Sequence, residues 1–381
     1  MSDTNLGILG LEAIVTYVPY LERSRRFYVD QLDFAQIGQS EPGMAQRGHQ
    51  ETAVYRSGAC TIIASAPQGR GGRAWRWLQR HPAGVGGLVL AVKDAQHAFE
   101  VLESRGATPL GEVTTHHDEY GLLRMFSILS PMGGATIRFV ERRGYRPLYP
   151  GFIATGPQDH VSRYGITAFD HVTSNFETMS PALLWMEHVL GLKQYWDVQF
   201  HTDDLAGPGS HGSGLRSVVM WDPESGVKFA NNEPWRPHFK HSQINVFTED
   251  NRGDGIQHVA FTVGDILGAV RGLKARGLQF LDTPDAYYHA LPARIEASGI
   301  AQIDEDIAEL HELGVLLDGD KHGEYMLQVF MAEAATTHGD PQAGPFFYEL
   351  IQRKGNRGFG EGNFRALFES IERSQQPEAV S

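Results

Sequence analysis

Gly84-Val-Gly-Gly-Leu-Val-Leu-Ala-Val-Lys-Asp94 reads as a buried strand that turns at Val-x-Asp into a helix closing near Arg105-Gly106. Gly255-Ile-Gln-His-Val-Ala-Phe-Thr-Val-Gly-Asp265 repeats that pattern, and its helix closes near Arg276-Gly277. Two further pairs keep the same order. Leu11-Glu-Ala-Ile14 and Phe169-Asp-His-Val172 each precede a helical stretch, and Phe139-Val-Glu-Arg-Arg-Gly144 matches Leu350-Ile-Gln-Arg-Lys-Gly355. Three matches in one order mark an internal duplication.

Between these markers lie short strands set off by Gly, Pro and Asp, among them Leu215–Met220, Val227–Ala230 and the alternating Glu324–Met331. Each half therefore predicts two βαβββ modules, an α+β arrangement whose sheet curls into an open barrel with helices outside. The expected division is an N-terminal domain over 1–150, a Gly- and Pro-rich linker over 151–165, and a C-terminal domain over 166–381. A doubly wound nucleotide fold competes, but no strand runs into a Gly-rich phosphate turn. Met331–Pro345, between Gln328 and Glu349, reads as a surface loop that could adjust the pocket entrance.

Composition narrows the function classes. With 381 residues, 41% of them hydrophobic and 21% charged, the chain can bury two ordinary cores. No run approaches the roughly 18 apolar residues of a membrane span, and the N-terminus lacks a secretory signal. A cytoplasmic location is expected. Cys60 is the single cysteine, which excludes an intrachain disulfide and thiolate clusters. A net charge of −13 argues against a nucleic-acid partner; Arg70, Arg73, Arg76 and Arg80 read as a solvated loop and helix face.

Overlaying the halves sets His171 opposite Ala13, His258 opposite Gly87 and Glu349 opposite Arg138. Either histidine alone reads as a hydrogen-bonded core residue. Three changes at matched strand positions read instead as a metal site that the N-terminal half lacks. Two imidazoles and one carboxylate leave three positions of an octahedral ion open, which suits iron(II) and dioxygen. Zinc is the alternative, although a catalytic zinc site keeps only one open position.

Strand alternation puts Phe347 beside Glu349 and Gln328 beside Phe330; Gln328 could equally face solvent from an edge strand. In Gly358-Phe-Gly-Glu-Gly-Asn-Phe-Arg-Ala-Leu-Phe-Glu-Ser-Ile-Glu372, Asn363 is a candidate N-cap. Phe364, Leu367, Phe368 and Ile371 follow with helical amphipathic spacing. The helix reads as a docked terminus or as a lid on a Gly-rich approach.

The ending Phe346-Phe-Tyr-Glu-Leu-Ile-Gln-Arg-Lys-Gly355 with Gly-Phe-Gly-x-Gly-Asn-Phe-x-x-Leu-Phe resembles that of the 4-hydroxyphenylpyruvate dioxygenase family. So do Asn232-Glu-Pro234, Ser242-Gln-Ile244, Gly255-Ile-Gln-His258, Phe280-Leu-Asp-Thr-Pro284 with Tyr287-Tyr288, and Leu327-Gln-Val-Phe330. The likeness spans roughly residues 166 to 375; the first half resembles the family in module pattern only. Ala230 stands where the family usually has proline.

That resemblance implies a vicinal oxygen chelate fold and iron(II) held by His171, His258 and Glu349. It implies that Ser217, Asn232, Gln243 and Gln328 form the polar part of the substrate pocket, with Gln243 and Gln328 also serving catalysis. Phe330 and Phe364 would sandwich an aromatic ring, while Phe347, Phe359, Asn363 and Phe368 line the remaining wall and lid. The implied reaction takes 4-hydroxyphenylpyruvate and O2 to homogentisate and CO2, a step of tyrosine and phenylalanine catabolism. A homo-oligomer, dimer or tetramer, is expected, with no membrane or nucleic-acid partner.

Three alternatives accompany this reading. 4-Hydroxymandelate synthase shares substrate, metal and fold but departs from the Asn-Phe and Asn-Glu-Pro motifs kept here. A non-catalytic binding protein of this fold often lacks ligands at the metal positions. A zinc or manganese hydrolase or isomerase is the third.

Overall fold

The computed structural model describes residues 4–146, 148–201, 214–236, 239–240, 242–300, 302–319, 323–360 and 363. The first sheet holds β1 (Ile8–Tyr17), β2 (Ala35–Ser40), β3 (Gln50–Ser57), β4 (Cys60–Pro67), β5 (Gly84–Val92), β6 (Thr114–His117), β7 (Leu122–Leu129), β8 (Thr136–Arg143) and β9 (Phe152–Ala154). Their order is β6-β7-β8-β5-β1-β4-β3-β2-β9. The second sheet holds β10 (Ala168–Asn175), β11 (Lys193–His201), β12 (Gly214–Trp221), β13 (Lys228–Pro234), β14 (Gly255–Thr262), β15 (Leu316–Gly319), β16 (Tyr325–Phe330) and β17 (Phe347–Lys354). They run β11-β12-β13-β10-β14-β17-β16-β15.

In each sheet the first strand of a module lies parallel to its last, as β1·β4, β5·β8, β10·β13 and β14·β17, and the other named pairs are antiparallel. That is the expected βαβββ unit four times over. Two curled half-barrel sheets with helices outside make the α+β architecture read from the repeat.

The duplication extends to individual hydrogen bonds. Asp94 caps helix Ala95–Ser104 by accepting from the amides of Gln96 and His97, and Asp265 caps Ile266–Lys274 by accepting from Gly268. The helices end at Arg105-Gly106 and Arg276-Gly277, where φ of +82° and +81° favours glycine. Glu141 on β8 accepts from the Ala95 amide at 3.0 Å, and Gln352 on β17 accepts from that of Ile266 at 2.9 Å. Each closing strand thus seats the helix of its own module.

The largest apolar core runs through both halves; Tyr28 and Tyr348 share a 2.7 Å hydroxyl hydrogen bond and Phe34 packs on Phe261. The concave face of the first sheet is filled from within. After Gly144 the chain turns over it, and Tyr145, Leu148 and Tyr149 bury against Ala13, Ile37 and Val89.

Two segments depart from their expected description. Residues 151–165 were expected as linker, yet β9 pairs with β2 at the edge of the first sheet. Met331–Pro345 is no simple surface loop. It contains helix Ala334–His338 and packs on the other half: Asp340 pairs with Arg23 at 2.6 Å, and the Gln342 carbonyl accepts from Ala83.

Candidate metal centre

β10, β14 and β17 are neighbours at the middle of the second sheet, where a curled sheet is most enclosed. His171 lies across from Ala260, Thr173 from His258, and Ala260 from Glu349. The first sheet has the same ladder, with Ala13 across from Val89, Val15 from Gly87, and Val89 from Arg138. The overlay made from sequence therefore holds strand by strand. Donor atoms of His171, His258 and Glu349 all lie within 4.8 Å of one another, and the three side chains are buried. Glu349 Oε2 is 3.3 Å from His171 Nε2 and 3.4 Å from His258 Nε2.

Each histidine follows a break in strand register. Between Phe169 and His171 β10 advances two residues while β14 advances one, and β14 does the same around Gln257-His258. A bulge lets consecutive side chains leave the usual alternation. Asp170 thereby reaches His171 Nδ1 at 2.9 Å, and Gln257 reaches His258 Nδ1 at 3.0 Å. Both Nε2 atoms are left facing Glu349. A metal-binding imidazole needs this arrangement, its second nitrogen fixed by an acceptor.

Arg353 grips Asp170 through two hydrogen bonds of 2.6 and 2.7 Å, and its other terminal nitrogen donates to the Asn356 and Gly358 carbonyls. One guanidinium thus joins the histidine support to the turn that carries Phe359 inward. The first half keeps the same device without a histidine: Arg142 bonds Glu12 at 3.1 Å and the Leu148 carbonyl at 2.9 Å.

Burial would raise the Asp170 carboxyl, but Arg353 and His171 outweigh it and hold it far below its ordinary range. Burial likewise pushes Glu349 up, yet the charges and hydrogen bonds of the two histidines bring it to about 2. His171 is pushed down by burial and more than restored by Glu349 and Asp170, ending above its usual value. His258, without a carboxylate at Nδ1, stays lowered by burial. An ionised carboxylate and two oriented imidazoles are a donor set fit for a divalent transition metal.

The remaining expected residues lie on the surrounding wall. The Phe347 ring stacks on His258 with centroids 4.9 Å apart, and Phe330 meets both edge-on. Phe359 packs 5.0 Å from His171. Gln328 is buried and donates to Glu349 Oε1 at 2.9 Å, so it does not face solvent. Asn363 donates to Gln328 at 2.8 Å. Gln243 is buried at the start of helix Gln243–Asn251. Ser217 pairs directly with Asn232 across β12 and β13, and Asn232 donates to Asn175. Phe364, Phe368 and the terminal helix lie outside the described residues.

Sequence reasoning missed five side chains: Thr173, Asn175, Asp170, Gln257 and Arg353. Thr173 and Asn175 follow His171 at steps of two, and that alternation was the available signal. Their buried Thr173 Oγ1 and Asn175 Nδ2 atoms, with Ser217 Oγ and Asn232 Oδ1, have no hydrogen-bond partner among the described residues. Such atoms cost about 1–3 kcal/mol each when left unpaired, so their clustering marks a place for a polar ligand. Asp170 and Arg353 gave no periodic signal; only strand pairing reveals them.

Comparison with known proteins agrees with this geometry. The sequence profile of the Glyoxalase/Bleomycin resistance protein/Dioxygenase superfamily matches residues 10–139 and 168–292. The chain is 31% identical to the 4-hydroxyphenylpyruvate dioxygenase of Dictyostelium discoideum, over 96% of this chain and 98% of that one. It is 30% identical to the Danio rerio protein of the same name, over 96% and 91%. A solved triple mutant of 4-hydroxymandelate synthase from Streptomyces coelicolor superposes with a TM-score of 0.81 at 25% identity, covering 97% of this chain and all of that one. Among the described residues, no helix is long and apolar enough to cross a membrane. The chain belongs to the glyoxalase/bleomycin resistance protein/dioxygenase superfamily and, within it, to the 4-hydroxyphenylpyruvate dioxygenases.

Proposed function

We propose that the chain is an iron(II) dioxygenase that converts 4-hydroxyphenylpyruvate and O2 to homogentisate and CO2. The observation that carries this is the convergence of His171, His258 and Glu349 in one half of a chain that matches such enzymes end to end. His171, His258 and Glu349 would hold the metal by three donors, and the positions left over would suit a two-point chelate and dioxygen, which favours iron(II) over zinc. When bound, the metal supplies a chelation point for the 2-oxo acid and electrons for dioxygen.

The side chains do the rest. Asp170 and Gln257 hold the imidazole tautomers, so both Nε2 lone pairs face the shared point. Phe330, Phe347 and Phe359 exclude water and flank the aromatic ring. Ser217, Asn232 and Gln243 offer hydrogen bonds to the substrate's polar groups, together with the second N–H of Gln328. Phe364 and Phe368 retain their ring and lid roles on family resemblance alone. In this reading the first half, residues 1–150, is a metal-free scaffold, and the enzyme is a cytoplasmic dimer or tetramer.

The test is product identity after aerobic incubation with iron(II) and 4-hydroxyphenylpyruvate. Homogentisate with equimolar oxygen uptake is expected. 4-Hydroxymandelate would reassign the chain to 4-hydroxymandelate synthesis, the activity for which the superposed Streptomyces protein is named. Binding of the keto acid without oxygen uptake would leave a binding protein.

A further inference from the structure

A single file of hydrogen bonds runs from the sheet edge to Glu349. Leu317 on the edge strand β15 donates its amide to the Tyr287 hydroxyl at 2.8 Å, and that hydroxyl lies 2.7 Å from Asn363 Oδ1. Asn363 Nδ2 donates to Gln328 Oε1 at 2.8 Å, and Gln328 Nε2 donates to Glu349 Oε1 at 2.9 Å.

The direction of this file is set at Glu349, and the Leu317 amide makes the Tyr287 oxygen an acceptor at the other end. An ionised carboxylate only accepts and a backbone amide only donates. Gln328 must therefore turn its NH2 toward Glu349, which turns its carbonyl to Asn363 and that residue's carbonyl to Tyr287. The Tyr287 hydroxyl has two acceptors in reach, Asn363 Oδ1 at 2.7 Å and the Leu317 carbonyl at 2.8 Å, and the shorter contact is the one that continues the file. Burial pushes this phenol up to about 12, so it remains a donor. Gly360, at φ +71°, leaves space beside Gln328 Oε1 that a Cβ would crowd at 3.0 Å.

The two oxygens of Glu349 consequently differ. Oε1 is taken by Gln328, and Oε2 alone faces both histidine Nε2 atoms. We propose that Tyr287 is a positioning residue: through Asn363 and Gln328 it keeps Glu349 a one-oxygen metal ligand, preserving the third open position that a chelating keto acid and dioxygen require. This rests on the metal-site reading above. Without the file, Glu349 is free to rotate and present both oxygens.

The experiment uses the full chain loaded with cobalt(II), followed by its visible ligand-field spectrum and by anaerobic titration with 4-hydroxyphenylpyruvate. Tyr287→Phe removes the donor to Asn363. Asn363→Asp, nearly isosteric, places an acceptor against Gln328 Oε1 and reverses the file, which keeps the test valid if Tyr287→Phe fails to fold. Both are expected to alter the cobalt spectrum and weaken keto-acid binding by roughly tenfold or more. Tyr288→Phe, on the same helix but outside the file, is expected to change neither. Wild-type spectra and keto-acid affinity in the folded variants would overturn the proposal. A wild-type chain that takes up no cobalt would instead overturn the metal-site reading.

Discussion

Replacing Asp170 with asparagine separates what the Asp170–Arg353 pair does for the fold from what it does for the metal. The pair is enclosed, its side chains 7% and 17% exposed, and is joined by two short hydrogen bonds. Removing one charge from a buried pair costs about 3–5 kcal/mol, because the partner stays buried and uncompensated. Losing the carboxylate behind a ligating histidine costs roughly 10- to 100-fold in metal affinity. Asp170→Asn is therefore expected to lower the stability of the metal-free protein by about 3 kcal/mol in urea unfolding and to weaken cobalt(II) binding by roughly 10- to 100-fold. The double replacement Asp170→Leu with Arg353→Met removes both charges, so much of the stability should return while the affinity should not. Glu12–Arg142 supplies an internal control, since Glu12→Gln breaks the matching pair where no histidine is held. It should cost stability and leave cobalt affinity unchanged. Wild-type metal affinity in the folded double variant would refute the idea that Asp170 orients His171.

Four further outcomes are expected. Glu349→Gln or His258→Ala abolishes oxygen uptake with 4-hydroxyphenylpyruvate while circular dichroism stays near wild type; retained uptake removes that residue from the ligand set. Because the folded-state value of Glu349 is depressed to about 2, its contribution to metal-free stability is present above its ordinary value of 4.5 and is lost as pH falls toward 2; urea titrations across that window check it. His171 is shifted upward, so its contribution is complete below its ordinary value of 6.5 and fades as pH rises through the raised one. Cobalt affinity, which requires the neutral imidazole, should climb over that same interval. Gly133 has φ +55° and an added Cβ would collide with the Asp254 carbonyl of the other half, so Gly133→Ala should lower stability by about 2 kcal/mol in thermal unfolding.

The sequence was most informative where periodicity and duplication reinforced each other. The Val-x-Asp turns and Arg-Gly helix ends needed only local chemistry, and they locate four modules. His171, His258 and Glu349 stood out because the matched residues Ala13, Gly87 and Arg138 cannot perform the same task. Asp170 and Gln257 were hidden because ideal alternation sends neighbours to opposite faces, and the bulges that bring them to the histidines depend on strand pairing. Tyr287 belongs to a motif legible in the sequence, but its link to Glu349 passes through residues 76, 35 and 21 positions apart. Met331–Pro345 misled for a simpler reason: its place is set by contacts remote in sequence, with Gln279 and Arg252 in its own half and with Arg23 and Ala83 in the other.

The register breaks beside His171 and His258 recur in the first sheet, between Leu11 and Ala13 and between Val15 and Thr16, where no imidazole follows. They therefore belong to the way each sheet bends and owe nothing to a bound cation. Emptying the site should accordingly leave its mould intact. The three donors would then form a receptacle prepared in advance, and which ion it takes would fall to ligand chemistry and supply.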